Sequence, residues 1–306
     1  MQQVFSTTLN QMLVFFLIML VGYILRKKRV LDEGAVKLLS RLLSDVIMSA
    51  VCFNAFAENC KPEALRENAL LLLCGVITLT FCFFAAAILR RFFARERYTR
   101  NIYLYSFTIA NIGYMGYPIV EAVFGAEALF NMIVFCIPFN IFIYSVGIAL
   151  LNPNNEKISF KSLISPVFIF MAVGAVVGLS GIPLPSAVTK TSGLLSGCMA
   201  PIAMLLAGIV IAGYSLRELF AGCSVYIAAI FRMLIIPAAG MLIAKAASLP
   251  MNFQIIILTV LAMPFGLNTV VFPAAYGGDT QTGARLALIS NLMGIITIPV
   301  MYAIFL

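Results

Sequence analysis

The stretch IANIGYMGYP, residues 109–118, lies midway along an apolar run from about residue 102 to residue 124. Such a run can cross a bilayer as a helix, because ~20 residues span the ~30 Å hydrocarbon core. Its two glycines weaken the helix, and Pro118 removes a backbone donor and clashes with a carbonyl one turn earlier. Unsatisfied peptide groups at membrane depth are costly, so an interrupted helix persists only inside protein or against a cavity. We therefore predict a broken helix here, with Asn111 at the break.

A second interrupted run lies near the other end of the chain, at MPFGLN, residues 263–268, and it closes with Pro273. Proline and glycine again stand inside an apolar run, and Asn268 brings a polar side chain to membrane depth. Two interrupted spans at corresponding places in two halves of a chain indicate a transporter binding site.

The composition predicts a polytopic helical membrane protein. Of 306 residues, 62% are hydrophobic and 10% are charged, and the mean hydropathy is +1.05. Soluble domains do not reach such values. The net charge of +8 lies in short loops between apolar runs, where it sets membrane orientation, so we expect no nucleic-acid partner.

The sequence lacks catalytic and metal-binding signatures. It contains no histidine, and its seven cysteines form no CxxC pair, so we interpret them as small apolar side chains. No P-loop, GxSxG or HExxH motif occurs. We therefore expect neither an enzyme nor a bound metal or cofactor.

The apolar runs predict ten transmembrane helices of about 20 residues or more. Their approximate ranges are 4–25, 35–57, 67–89, 102–124, 128–150, 163–181, 187–213, 222–247, 253–276 and 283–305. Fourteen Lys and Arg residues then fall on one side of the membrane and four on the other, which assigns the first set to the cytoplasm. We therefore expect a multi-pass protein of the cell membrane (inner or plasma membrane) with both termini outside the cytoplasm.

The chain divides into two five-helix halves, 1–150 and 151–306, with a polar linker at 152–161. Because five is odd, the second half enters the membrane in the opposite sense, which predicts two inverted repeats. In the sixth span, the small-residue motif Gly174-x-x-x-Gly178 predicts close helix contact.

Three charged residues in the spans are candidates for ion coupling or substrate attraction. A charge at membrane depth costs at least ~2.5–3.5 kcal/mol on insertion scales, so it normally pairs or functions. Asp45 shares a helix face with Arg41, which allows either a self-contained ion pair or a coupling carboxylate. Glu121 is either a solvated outer-face carboxylate or a proton carrier. Arg232 needs an acidic side chain, backbone carbonyls or an anionic substrate as its partner.

Motifs at the breaks and beyond them resemble the auxin efflux carrier family, which includes PIN-type plant carriers and bacterial malonate-type permeases. The likeness is to a bacterial-type member and covers essentially the whole chain. It is carried by NIGYMGYP at 111–118, the segment 201–208, MP at 263–264, NTVV at 268–271, YGGD at 276–279 and GIITIP at 294–299.

The resemblance implies an all-α fold of two inverted five-helix repeats in which broken helices four and nine cross. Helices 1, 2, 6 and 7 would form a scaffold, and helices 3–5 and 8–10 a moving transport domain. It also implies that asparagines at the crossing bind an organic anion, and these correspond to Asn111 and Asn268.

Helix polarity accounts for such a site, because half-helix N-termini carry a positive dipole end and free N–H donors that favour a carboxylate. We therefore predict that a small organic anion, carried by alternating access, binds at Asn111, Gly113, Pro118, Pro264 and Asn268. Export of an anion is downhill by ~2.3 kcal/mol per charge per 100 mV, whereas uptake would need a proton or a sodium ion.

A cation/proton antiporter of similar crossed-helix architecture is the alternative. Such a site would need carboxylates beside the breaks, and the nearest acid in either broken span is Glu121. The expected partners are the lipid bilayer and the anion. A coupling proton or sodium ion and a homodimer are both compatible with the sequence.

Overall fold

A computed structural model describes residues 2–62, 65–153 and 165–306 of the chain. All regular elements within these residues are helices, apart from one isolated β-bridge between Ala110 and Phe265. The all-α prediction is thus confirmed. Most of the predicted linker at 152–161, including Lys157 and Lys161, lies outside the described residues, as does the predicted start of the sixth span at 163.

The helices are numbered here in chain order, and two of them are divided into halves by a break. They are α1 (Gln2–Lys27), α2 (33–59), α3 (Leu65–Phe93), α4a (Arg97–Thr108), α4b (112–124), α5 (126–151), α6 (Pro166–Ser180), α7 (Ser186–Ala212), α8 (Cys223–Ala246), α9a (Met251–Ala262), α9b (Asn268–Tyr276) and α10 (Gln281–Phe305). A single helical turn, Leu216–Leu219, precedes α8.

Five of these helices, α1, α3, α7, α8 and α10, are long and apolar enough to cross a membrane. Helix α5 becomes a sixth if its two parts, which meet at a 47° bend, are one span. Helices α6 and α9a are apolar but shorter, with 15 and 12 residues. Several apolar spans are therefore present, whereas the count of ten spans and the repeat architecture stay predictions.

Four of the helices contain a π turn, in which one extra residue widens the helix. The π turns are Leu42–Ile47 in α2, Ile112–Gly116 in α4b, Ile143–Gly147 in α5 and Phe231–Ile235 in α8. Such turns occur frequently at functional sites, because they re-aim side chains without ending the helix.

Glycines allow the closest helix contacts in the fold. Helix α6 packs against the second half of α2, and a Cβ at Gly174 or Gly178 would lie about 2.5 Å from the carbonyl oxygen of Phe53 or Phe56 respectively. The predicted close contact at this small-residue motif is therefore confirmed. Helix α1 packs in the same way along α7, where Gly208 faces its backbone.

The contact of α1 with α7 depends on the missing side chain at Gly208. A Cβ there would overlap the carbonyl oxygen of Met19 and lie 2.7 Å from the backbone nitrogen of Tyr23. We expect Gly208→Ala to lower the free energy of unfolding by about 1–3 kcal/mol, because backbone cannot yield as a side chain can. Thermal unfolding of the detergent-purified protein measures the loss. Gly193→Ala on the same helix is the control, since nothing lies within 4 Å of its added Cβ; equal melting of the two variants would contradict the prediction.

Candidate functional site

The two interrupted helices meet at their breaks. Helix α4a ends at Thr108 and α9a at Ala262, and each chain then runs extended before the next half-helix begins. The backbone N–H of Asn111 donates to the carbonyl oxygen of Pro264 at 2.8 Å, beside the antiparallel bridge of Ala110 with Phe265. The segments therefore cross in contact, and both predicted breaks are confirmed.

Neighbouring helices satisfy the peptide groups that the second break leaves open. Pro264 has no N–H, so the carbonyl of Val260 loses the partner it would have in an unbroken helix. Arg232 of α8 replaces that partner through Nη2 at 3.2 Å. The N–H of Phe265 donates to Oγ of Ser290 on α10 at 3.0 Å. The break is thus held by helices α8 and α10 as well as by α4.

Asn111, at the crossing, has a side-chain donor without a partner among the described residues. Its carbonyl oxygen accepts from the N–H groups of Met115 at 3.2 Å and Gly116 at 3.1 Å, which anchors the start of α4b. Its side chain is 3% exposed, and Nδ2 has no partner among the described residues. Nearly all buried donors in proteins are paired, so a buried amide of this kind marks a site for a further acceptor.

Asn268 stands in the first turn of α9b and is held by a group of tyrosines. Its Nδ2 donates to the hydroxyl of the fully buried Tyr105 at 3.0 Å. Tyr105 interacts electrostatically with Tyr114 of α4b and Tyr144 of α5. These three residues are called the tyrosine cluster below. Sequence reasoning missed this cluster, although its members are phenols inside otherwise apolar runs.

The other predicted binding residues are a glycine and two prolines, which have no polar side chain and act through the course of the backbone. Gly113 lies against α2, and an added Cβ would be 2.8 Å from the terminal methyl of Met48. Pro264 is buried at the crossing. Pro118 is buried near the start of the α-helical part of α4b, seven residues beyond Asn111, so the break itself precedes it.

Asp45 approaches the site from α2. It is exposed within the π turn of that helix, where Oδ1 accepts from the hydroxyl of Ser44 at 2.7 Å. It also interacts electrostatically with Tyr114 and Tyr144. No ion pair joins Asp45 to Arg41 in the part of the chain that the structure describes, where Asp45 lies within the π turn and Arg41 directly precedes it. The carboxylate thus faces two members of the tyrosine cluster.

Glu121 stands apart from the crossing. It lies ten residues after Asn111, about 15 Å farther along α4b at 1.5 Å per residue, and it is exposed. Its electrostatic neighbour is Glu58 of α2. No group of three or more acidic or cysteine side chains that could hold a metal occurs among the residues described.

Arg232 is buried to 1% exposure in the π turn of α8. Of the three alternative partners, the structure supplies a backbone carbonyl, that of Val260, and Cys82 of α3 interacts with the guanidinium electrostatically. Nε and Nη1 have no hydrogen-bond partner among the described residues. The positive charge of Arg232 also lies at the C-terminal end of α9a, where the negative end of that half-helix dipole attracts it.

The whole chain is similar in sequence to known membrane transport proteins. A family model described as membrane transport protein matches residues 7–302. The uncharacterized transporter YfdV of Escherichia coli K12 is 20% identical over 303 residues, covering 95% of each chain. Uncharacterized transporters of Methanothermobacter thermautotrophicus and Methanocaldococcus jannaschii are each 23% identical, over 305 and 301 residues, and cover at least 95% of both chains.

Ser290 provides a direct test of the crossing. Ser290→Ala removes the acceptor for the buried N–H of Phe265, and an unsatisfied buried donor costs about 1–3 kcal/mol. We expect a matching fall in the free energy of unfolding. Ser106→Ala is the control, because Ser106 is equally buried and its hydroxyl bonds only to Ile102 on its own helix. Equal stability of the two variants in thermal unfolding would show that the Phe265 bond contributes nothing.

Proposed function

Because the chain belongs to the membrane transport protein family, we propose that it carries a small organic anion across the membrane by alternating access, bound where α4 and α9 cross. The family match bears out the resemblance to auxin efflux carriers and identifies a transporter rather than an enzyme. The substrate class, the site and the mechanism are the proposal.

The unpartnered side-chain amide of Asn111 carries the proposal. A buried N–H donor without an acceptor is costly, and an anionic oxygen would satisfy it with a charge-assisted bond. The starts of α4b and α9b add the positive ends of two half-helix dipoles at the same crossing. The unpartnered group is an N–H donor, which can bind a carboxylate oxygen but not a metal cation.

The helix packing supports two inverted repeats, 1–150 and 151–306, within ten spans. Helix α1 packs on α7 and α6 packs on α2, and exchanging the halves converts one pair into the other. The pairs α3 with α4a and α8 with α9a correspond in the same way. We propose a scaffold of α1, α2, α6 and α7 and a moving transport domain of α3–α5 and α8–α10.

The substrate would then lie between the two proposed domains. Gly113 lies against Met48, and Tyr114 interacts with Asp45, so the scaffold helix α2 approaches the start of α4b beside Asn111. A movement of the crossing relative to α2 would expose the anion to one side of the membrane and then to the other. Gly113, Pro118 and Pro264 would shape this site, and Asn111 and Asn268 would bind the anion.

Asp45 is proposed as the coupling carboxylate for uptake. It interacts with the tyrosine cluster, whereas Glu121 stands away from the crossing and Arg232 is bonded to Val260. An exposed acid beside the site can carry a proton or pair with a sodium ion, which uptake of an anion against an inside-negative potential requires. The excess of basic residues on one side supports a cell-membrane protein with both termini outside the cytoplasm.

The double variant Asn111→Ala/Asn268→Ala tests the binding site. Loss of a hydrogen bond to a charged group costs about 1.5–3 kcal/mol, so we expect at least a tenfold loss of affinity for the anion. A thermal-shift screen of mono- and dicarboxylates first identifies the ligand on the unmodified protein, and counterflow in proteoliposomes then measures its transport. Asn59→Ala is the control, because that amide bonds only to Ala55 on its own helix. Undiminished binding by the double variant would refute the site, and stimulation by cations alone would favour the antiporter.

Asp45→Asn tests the coupling. The amide keeps the shape of the side chain and removes its titration, so we expect uptake to lose its dependence on a proton or sodium gradient while counterflow continues. Gradient-driven uptake and counterflow are compared in the same vesicles. Glu121→Gln is the control and should leave both unchanged. Full gradient-driven uptake by Asp45→Asn would remove the coupling assignment.

A further inference from the structure

A cleft lined by arginines lies at one end of the molecule, away from the crossing. Its volume is about 480 Å³, and it is bounded by the end of α3, the start of α4a and the last turns of α5. The residues that line its polar side are Arg90, Arg95, Arg97, Arg100 and Asn101. This set is called the arginine cleft below.

The arginines that line the cleft have no acidic partner among the residues that the structure describes. No acidic residue lines it, and no ion pair joins its arginines to an acid in the described chain. Arg100 donates through Nε to the carbonyl oxygen of Ala94 at 2.9 Å, and Nε of Arg90 is buried without a partner among the described residues. Four guanidinium groups around one space repel each other, so an anion would be held there.

Helix α4a begins at the cleft and adds the positive end of its dipole to the charge of the arginines. Helix α4a has 12 residues and starts at Arg97, so its positive dipole end coincides with two arginines, Arg97 and Arg100. Cations are unfavourable at a helix N-terminus and anions are favourable. Glu96 at the N-cap supplies one carboxylate, which accepts from Oγ1 of Thr99 at 3.0 Å. The arginines still outnumber the acids here, so a further anion such as a phosphate or carboxylate group would be favoured.

The opposite wall of the cleft is apolar and faces the surroundings. It consists of Val146, Ala149 and Leu150 of α5, and Val146 is 40% exposed. On α3, Phe92 is 79% exposed and Ile88 is 63% exposed. Both lie two residues from Arg90, which lines the cleft. Exposed apolar side chains at the end of a spanning helix contact lipid. A ligand that fills the cleft should thus be anionic at one end and apolar at the other.

We propose that the arginine cleft binds the phosphate-bearing headgroup of an anionic membrane lipid, with the acyl chains lying along Val146 and the neighbouring apolar surface of α3. Basic pockets between membrane helices bind anionic headgroups in this manner. The lipid would add contacts among α3, α4a and α5, beside the short segment 94–96 that joins α3 to α4a.

Tyr98 already connects two of these helices. Its hydroxyl donates to the carbonyl oxygen of Leu151 at 2.7 Å, which links the start of α4a to the end of α5. Burial, with a smaller effect from the Asp279 carboxylate, raises the pKa of Tyr98 to about 12, so the hydroxyl keeps its proton at neutral pH. The headgroup would occupy a cleft whose two sides are held together in this way.

The experiment measures binding of phosphatidylglycerol, with phosphatidylcholine as the uncharged comparison, to protein in nanodiscs or by native mass spectrometry. An arginine near the membrane surface contributes about fivefold to the affinity for anionic lipid, so Arg95→Gln/Arg97→Gln should weaken binding of phosphatidylglycerol roughly 25-fold. Lys28→Gln/Arg217→Gln removes equal charge from exposed positions outside the cleft and should change binding less than twofold.

Three outcomes would overturn the proposal. They are equal retention of the two lipids by the unmodified protein, equal weakening by the two double variants, and displacement of phosphatidylglycerol by millimolar inorganic phosphate, which would indicate a soluble anion as the ligand. Thermal unfolding checks that each variant is folded. If the double variant is not, Arg95→Gln alone, in an exposed loop, should still weaken binding about fivefold.

Discussion

The fold depends on the rule that a peptide group inside a membrane must have a hydrogen-bond partner. Two helices are interrupted and leave peptide groups open. One hydrogen bond between them, from the N–H of Asn111 to the carbonyl of Pro264, satisfies a group on each. The remaining groups are supplied from outside the pair, by Ser290 for Phe265 and by Arg232 for Val260. The crossing is therefore a shared product of four helices. Among the described residues it leaves unpaired the Nδ2 group of Asn111 and the Nε and Nη1 groups of Arg232, and the proposed substrate would engage the Asn111 amide.

Both breaks were predictable because their causes are local. Proline lacks a donor and glycine lacks helix propensity wherever they stand, so residues 109–118 and 263–268 indicate interruption without any knowledge of neighbours. The position of the first break was less certain. Pro118 lies within α4b, since the preceding π turn and a place near the helix start accommodate it, and the chain leaves the helix at 109–111 instead.

The parts that sequence reasoning missed depend on packing between distant segments. Tyr105 reaches Asn268 across 163 positions in the chain, and nothing in the spacing of either residue indicates the contact. The ion pair considered for Arg41 and Asp45 assumed a regular helix, whereas the π turn begins directly after Arg41 and contains Asp45. Likewise, the arginines at 90–100 were interpreted only as determinants of orientation, because a cleft becomes visible only when α5 is packed beside them.

The break at Pro264 couples helices α8 and α9a, because it leaves the carbonyl of Val260 to be bonded by Arg232. Any displacement that parted α8 from α9a would leave both a carbonyl and a guanidinium without a partner in hydrocarbon, so in the proposed mechanism these two helices would move together. The bonds of Asn111 to Pro264 and of Phe265 to Ser290 fasten α4 and α10 to this pair. Movement of α4b relative to α2 is easier where the contact is apolar, as it is between the terminal methyl of Met48 and Gly113, which has no side chain. The proposed movement of the crossing relative to α2 would therefore break no hydrogen bond at this contact.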